Sequence, residues 1–157
     1  MHCRLASAQL KVAVVNFQRA ITETAEIKKA QNEMQAKYKV QQDAIEKIQR
    51  ELNDIQTQLQ ASQGKLSAAG EADLQARGTR KQREAQRMTD DLQADVDRDR
   101  NDIIQRASVR MTEVVKKIAD EKGLDMVLES STMLTFKPAL EITNDAIAAY
   151  DKAHPAK

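Results

Sequence analysis

Apolar residues recur every seven positions through the first half of the chain. Two such rows interleave between residues 27 and 66, one made of Tyr38, Ile45, Leu52, Leu59 and Leu66 and the other of Ile27, Met34, Ile48 and Ile55. Sustained heptads place both rows on one side of a long α-helix, which must then pack against a second helix. The pattern therefore predicts a coiled-coil arm.

A glycine cluster follows, at Gly64, Gly70 and Gly78. Glycines at this density favour a reversal of the chain, and we predict a hairpin tip near residues 64–72. Beyond the tip the apolar residues recur every eleven positions, which is typical of a nearly straight helix. These residues are Leu92, Ile103 and Val114, with a second row of Ala85, Val96, Ala107 and Ile118. The helical arm is predicted over residues 20–122, and Gly123 provides its C-terminal stop.

Strand patterns occur only near the two ends of the chain. Residues 11–17 are rich in valine, and residues 124–129 and 132–137 form a β-hairpin pattern around two serines. Thr143 then begins a short terminal helix. The predicted fold class is α+β, mainly α: a long antiparallel helical hairpin on a small β body made of residues 11–17 and 124–153.

Three short strands are marginal on their own in water. We therefore predict that the body assembles with other copies of the chain. The candidate residues for this contact are the apolar strand residues Val12, Val14, Met126, Leu128, Leu134 and Phe136.

The first residues are set apart from this pattern. Ala6-Ser7-Ala8 has the small-x-small form of a signal peptidase site, although no apolar segment precedes it. Residues 1–8 are interpreted as the remnant of an export signal or as a cloning scar, and residues 9–157 as one domain. No run approaches the length of about 20 apolar residues that a membrane span requires.

Composition makes a pocket enzyme the weakest class. Charged residues make up 31% of the chain and aromatic residues 3%, as in long helices. Asp95, Asp97 and Asp99 imitate the opening of a calcium loop, but Arg100 stands where that loop needs glycine. His2 and His154 have no ligand-spaced neighbours, so we expect no metal, no cofactor and no catalytic site. Nucleic acid is not expected either, because the long helices lack a series of aromatic residues on which bases stack.

The net charge of +1 conceals two opposite regions on the second helix. Six acidic residues between positions 90 and 102 oppose two arginines. Closer to the tip lies a basic cluster of Arg77, Arg80, Lys81, Arg83 and Arg87. This cluster is either a solvated helix face or a site for an anionic membrane surface or an acidic partner segment.

A second apolar row lies near the base of the return helix. It consists of Ile104, Met111 and Val115 and widens the apolar face beyond what one partner helix covers. The row either packs against the strand body or lines a cavity in which an apolar client is held.

The order of these parts resembles the Skp/OmpH family of periplasmic chaperones over residues 11–153. The segments that carry the resemblance are KVAVVNF, EKGLDMVLESS and TMLTFKPALEIT, with Glu141-Ile142-Thr143 where the family usually has Asp-Ile-Thr. The resemblance implies a homotrimer whose helical hairpins enclose a cavity and hold unfolded outer membrane proteins in the periplasm without ATP. Many family members are strongly basic, whereas this chain is nearly neutral.

Two other interpretations compete with this one. A prefoldin-like chaperone also joins paired helices to a β body, but its hairpin strands lie between the helices, whereas here strands flank them. An architectural coiled coil that acts as a spacer or adaptor fits the helical pattern equally well, and it stays open as the alternative.

Overall fold

The computed structural model describes residues 8–157 and divides them into two compact units. One unit, the body, contains residues 8–31 and 101–157, and the other, the hairpin unit, contains residues 32–100. The elements in chain order are β1 Val12–Val15, α1 Phe17–Thr22, α2 Ala25–Ala61, α3 Ala68–Lys122, β2 Met126–Glu129 and α4 Thr143–Ala153. The interpretation of residues 1–8 as a signal remnant or scar lies, apart from Ala8, outside the described residues. No helix within residues 8–157 has the length and apolar character of a membrane span.

The hairpin unit pairs the distal part of α2 with the first part of α3. Glu51 of α2 contacts Lys81 of α3, and Lys37, earlier in α2, contacts Asp99, later in α3. Positions later in α2 thus contact positions earlier in α3, so the two helices are antiparallel, as predicted. The heptad and eleven-residue rows supply the buried seam, which contains Tyr38, Ile45, Ile48, Ile55, Leu74 and Ala85.

The reversal between α2 and α3 occupies residues 62–67. Gly64 has a positive φ of 76°, a conformation that glycine adopts at little cost. Ser67 then caps α3, because its hydroxyl oxygen accepts the Gly70 N–H at 3.1 Å. Leu66, predicted as a seam residue, lies in this loop and is 41% exposed because the helix has already ended.

The β sheet of the body has two parallel strands. Val12 lies opposite Met126 and Val15 lies opposite Glu129, so β1 and β2 are in register along their whole length. On its other side β1 forms a bridge between Val14 and Glu141. The core beneath the sheet combines β1 with residues of α1, α2, α3 and α4, among them Ile27, Met111 and Tyr150.

The prediction of a strand over residues 132–137 is wrong, and with it the β-hairpin around the serines. Residues Ser130–Thr132 form one turn of 3₁₀ helix instead, because the Glu129 side chain accepts the Ser131 N–H at the start of that turn. The turn leads the chain away from β2, which pairs with β1 instead.

Side-chain caps set the helix ends of the body. Asn16 accepts the Arg19 N–H at 2.9 Å, so α1 begins at Phe17, which was predicted to be the end of a strand. The Thr24 hydroxyl accepts the Ile27 N–H at 3.3 Å at the start of α2. Thr143 does not cap α4, since its hydroxyl accepts the Asn16 N–H at 2.9 Å.

The C-terminal stop of α3 is at Gly123. Its φ of 63° and the Leu124 N–H donated to the Ala119 carbonyl at 2.8 Å form a glycine cap. The predicted class is confirmed: a mainly α chain with a long antiparallel helical hairpin and a small sheet. Assembly into a trimer stays a prediction.

Candidate functional site

A groove lies on the body between β2 and α3, and we call it the body groove. It has a volume of about 410 Å³. Apolar side chains from both ends of the chain form most of its wall, because the parallel pairing of β1 with β2 brings these ends together. The lining residues are Val15, Phe17, Thr112, Val115, Lys116, Ala119, Val127 and Glu129.

The polar residues of the body groove differ in how firmly they are held. The Glu129 carboxylate accepts the Phe17 N–H at 3.0 Å and the Ser131 N–H at 3.3 Å, so it is occupied by the chain itself. Lys116 forms no ion pair with any residue of the described range. The groove therefore presents an apolar wall and one cationic side chain, that of Lys116.

The three predicted client-binding residues differ in how deeply the structure buries them. Met111 is fully buried in the core of the body, so a direct contact with a client is excluded for it in this chain conformation. Ile104 and Val115 are half-buried and pack at the edge of the same core. All three residues thus take part in core packing, and a client contact of the half-buried Ile104 and Val115 stays a prediction.

The predicted basic cluster lies on α3 in the hairpin unit. Lys81 is held by Glu51, at 3.0 Å across the helix pair, and this hydrogen bond raises the pKa of Lys81. Arg80, Arg83 and Arg87, spaced by three and four residues, lie on one face of the helix beside Glu84. These three arginines form no ion pair within residues 8–157, so their charges are available to an anionic partner.

Four of the six predicted trimer residues share one face of the sheet. Val12 and Val14 in β1 and Met126 and Leu128 in β2 alternate with the residues that face the core. Val14 is buried, but Met126 is 42% exposed. Leu134 is fully exposed and Phe136 is half-buried, both in the segment after β2.

A polar cluster at the base of the long helices was not predicted. Tyr150 of α4 donates its hydroxyl to Glu26 of α2 at 2.5 Å, and Arg110 of α3 donates to the same carboxylate at 2.7 Å. Burial, and next to it the hydrogen bond to the Glu26 carboxylate, together raise the pKa of Tyr150 to about 12. Asp151 adds a cap, accepting the Ala25 N–H at 2.9 Å. These partners are separated by 84 to 126 positions in the chain, so no local spacing signals their contact.

A second unpredicted cluster joins the two helices of the hairpin unit. The Asp99 carboxylate accepts hydrogen bonds from the Lys37 ammonium at 2.6 Å and from the Tyr38 hydroxyl. These two donors, Lys37 first, lower the pKa of Asp99. One of the three aspartates with calcium-loop spacing is thus engaged between the helices. Across residues 8–157 no group of three His, Cys, Asp or Glu side chains is placed to hold a metal ion.

Comparisons with known proteins agree with this architecture. The model of the family described as outer membrane protein (OmpH-like) matches residues 11–150. A Skp-like protein of Pseudomonas aeruginosa is 23% identical over 142 residues, which cover 90% of this chain and 84% of that protein. A crystal structure described as an OmpH-like outer membrane chaperone from Caulobacter crescentus superposes with a TM-score of 0.77. It is 15% identical, and the match covers 96% of this chain and 89% of the other.

Proposed function

Because the chain belongs to the OmpH-like family, we propose that it is an ATP-independent holdase chaperone of the periplasm that keeps unfolded outer membrane proteins from aggregating. The solved structure that shares its fold is described as an outer membrane chaperone, which supports this function. Holding by many weak contacts needs no nucleotide, since each contact releases locally while the others retain the client.

The match to the OmpH-like family is the observation on which the proposal rests. In this chain the long helical hairpin buries its apolar seam and leaves cationic side chains without ion pairs among the described residues. The apolar seam residues of α2 and α3 are buried against each other within the hairpin unit. Arg80, Arg83 and Arg87 have no partner among residues 8–157 and do not contribute to the packing of the helix pair. A helical surface with this character suits transient contact with a nonnative chain.

The proposal includes a homotrimer assembled through the sheet face that carries Met126. Exposed apolar side chains on a two-stranded sheet favour a further layer. Replacing Met126 with Asp would bury a charge in the contact and cost several kcal/mol, so the assembly should dissociate. Val109→Asp is the matched control, since Val109 is 58% exposed on α3. Light scattering of the native protein measures the result, and the mass of one subunit for the unmutated chain would contradict the trimer.

We propose that clients are held mainly by apolar contacts that include Ile104 and Val115, and that the arginine face speeds their capture. Charges on an exposed face steer encounters more than they stabilise a complex, and salt screens them. Changing Arg80, Arg83 and Arg87 to Gln should slow association and reduce its salt dependence. Changing Ile104 to Ser should raise the dissociation constant at every salt concentration. If the affinity for the client falls strongly with added salt and does not change when Ile104 is replaced, the client is held by electrostatic contacts instead.

The decisive experiment measures the aggregation of an unfolded β-barrel protein diluted from urea, with and without the purified chain and without ATP. Suppression of light scattering is expected at stoichiometric amounts. A variant that lacks residues 53–90, with the cut ends joined by glycines, should keep its oligomeric mass but lose protection. If the unmutated chain gives no protection, the spacer or adaptor alternative is favoured.

The arginine face also suits an anionic membrane surface. Flotation with anionic and with neutral vesicles separates this contact from client capture. The arginine variant should lose any preference for the anionic vesicles.

A further inference from the structure

A stripe of exposed residues runs along α3 within the hairpin unit, and we call it the outer stripe. Its positions are spaced alternately by three and four residues, so they follow one face of the helix. This face is opposite to Ala85, which is buried in the seam with α2. The outer stripe consists of Arg80, Arg83, Arg87, Asp90, Ala94 and Asp97, all of them exposed.

The outer stripe is divided by charge. Its three arginines lie in the half nearer the tip, and Asp90 and Asp97 lie in the other half. The arginines form no ion pair within residues 8–157. The two aspartates accept amide N–H groups of their own helix, Asp90 from Gln86 at 2.9 Å and Asp97 from Gln93 at 3.0 Å. These contacts carry no positive charge, so both halves keep their charge toward solvent.

Neighbouring charges of opposite sign are paired elsewhere on α3. Glu84, which lies beside the arginines, is bound by Lys81 at 3.7 Å. Arg98, which follows Asp97, is bound by Asp95 at 3.0 Å. Neither neighbour therefore neutralises the half of the stripe that it adjoins.

The order of charges along the outer stripe fits a second outer stripe that runs in the opposite direction. We align two antiparallel stripes about a two-fold axis that passes between residues 88 and 89. The facing pairs are then Arg80 with Asp97, Arg83 with Ala94 and Arg87 with Asp90, and each pair occurs twice. Every charged pair is of opposite sign, and the small alanine leaves room for the arginine that it faces. Two parallel stripes in register would instead place arginine against arginine and aspartate against aspartate, which is repulsive.

We propose that the outer stripe docks antiparallel on the outer stripe of a second copy of this chain. A three-fold rotation never makes two helices antiparallel, so the second copy belongs to another assembly and not to the same trimer. The contact uses the same surface on both copies, and it joins the hairpin unit of one assembly to the hairpin unit of another.

A second copy is favoured over an anionic membrane or an acidic client segment as the occupant. A membrane or an acidic segment attracts the arginines but is repelled by Asp90, one turn beyond Arg87. A second copy engages both halves of the stripe. Exposed ion pairs are individually weak and are screened by salt. We therefore expect the contact at low ionic strength, strengthened where several hairpins of one assembly dock together.

Exchange of charges in the full-length chain tests the contact. One variant carries Arg80→Asp with Arg87→Asp, and the other carries Asp90→Arg with Asp97→Arg. In either variant alone the facing residues have like charge, so the variant should not associate. In a mixture of the two variants all facing charges are again opposite.

Sedimentation velocity at low ionic strength measures the result. The mass of the unmutated chain should rise about twofold above that of one assembly, and added salt should reverse the rise. Each variant should keep the mass of one assembly, and the mixture should recover the rise. The matched control is Lys47→Asp with Arg50→Asp, at exposed positions of α2, since it makes the same change of net charge as the first variant. This control should still associate.

Disulfide trapping tests the direction of the contact. All variants carry Cys3→Ser, and one preparation carries Ala94→Cys while the other carries Arg83→Cys. Mixing at low ionic strength and mild oxidation should give covalent dimers that contain one chain of each type. The Ala94→Cys preparation alone is the control, because two cysteines at position 94 lie about 16 Å apart along the antiparallel helices. This control should give no dimers.

The outcomes separate the inference from the proposed function. The inference is overturned if the unmutated chain does not gain mass at low ionic strength, or if the gain persists in high salt or in either variant alone. Anionic vesicles that bind a chain without self-association also overturn it and make the arginines a membrane contact. Dimers in the Ala94→Cys control without mixed dimers overturn the antiparallel direction. A chain that associates but does not protect an unfolded β-barrel protein contradicts the proposed function alone.

Discussion

Replacing Tyr150 with Phe removes one oxygen atom from the centre of the body. The side chain of Tyr150 is fully buried, and its hydroxyl donates to Glu26 at 2.5 Å. A hydrogen bond to a charged group contributes about 1.5–3 kcal/mol to stability. Because Glu26 keeps its hydrogen bond from Arg110 at 2.7 Å, no charge is left unpaired. We therefore expect the free energy of unfolding to fall by about 2 kcal/mol near neutral pH.

The raised pKa of Tyr150 adds a test in alkaline solution. The pKa is about 12 in the folded chain against 10.0 for an ordinary tyrosine. The unfolded chain thus loses this proton near pH 10, whereas the folded chain keeps it until about pH 12. The stabilisation is complete below pH 10 and disappears as the pH rises toward 12. Burial of the phenol is the first cause of the raised pKa and the Glu26 contact the second, so the alkaline loss of stability measures both together.

Urea unfolding followed by circular dichroism measures the effect at one fixed protein concentration, since assembly contributes to stability. The unmutated chain and Tyr150→Phe should differ by about 2 kcal/mol at pH 8 and converge between pH 10 and 12. Tyr38→Phe is the control. This variant keeps Tyr150, so it should still show the loss of stability between pH 10 and 12 that Tyr150 causes. Parallel stability curves for the unmutated chain and Tyr150→Phe up to pH 12 would refute this account of the cluster.

Three further substitutions test other parts of the structure. Asp99→Asn should lower the thermal midpoint above pH 4 but have less effect in acid, where the aspartate itself is protonated, while Asp91→Asn on the same helix should leave the midpoint unchanged. Met111→Ser should destabilise the chain by about 3 kcal/mol or more, because the side chain is fully buried, and Val109→Ser at an exposed position should change stability by less than about 0.5 kcal/mol. Gly123→Ala should cost about 1 kcal/mol in urea unfolding, since alanine resists the positive φ at the end of α3, and an unchanged midpoint would contradict that cap.

Local patterns predicted the helical hairpin well. The heptads through Tyr38 and Ile45 and the elevens through Ala85 repeat with the period of a helix, and these residues lie in the seam. A glycine at the tip and another at the end of α3 marked where the helices stop. Each of these signals depends on neighbours within a few turns of the chain.

The β body was harder to predict, because its contacts join distant positions. The β-hairpin assigned to residues 124–137 followed a local pattern, but β2 pairs in parallel with β1. Periodicity likewise placed Met111 in a row with Ile104, and the depth of its burial depends on the strands and α4. The Tyr150 cluster joins three helices whose polar residues have no sequence signal of their own.

The parallel pairing of β1 with β2 has a consequence for the order of folding. Val15 and its partner Glu129 are separated by more than 100 residues, and closing a flexible loop of that length costs about 4 kcal/mol in chain entropy. Contacts within the hairpin unit close much shorter loops near the tip. Once the helices have formed, the ends of the chain are held by a stiff connection and the search for the sheet is short. The helical hairpin should therefore form early, and substitutions in its seam should slow refolding, whereas substitutions in the strands should mainly accelerate unfolding.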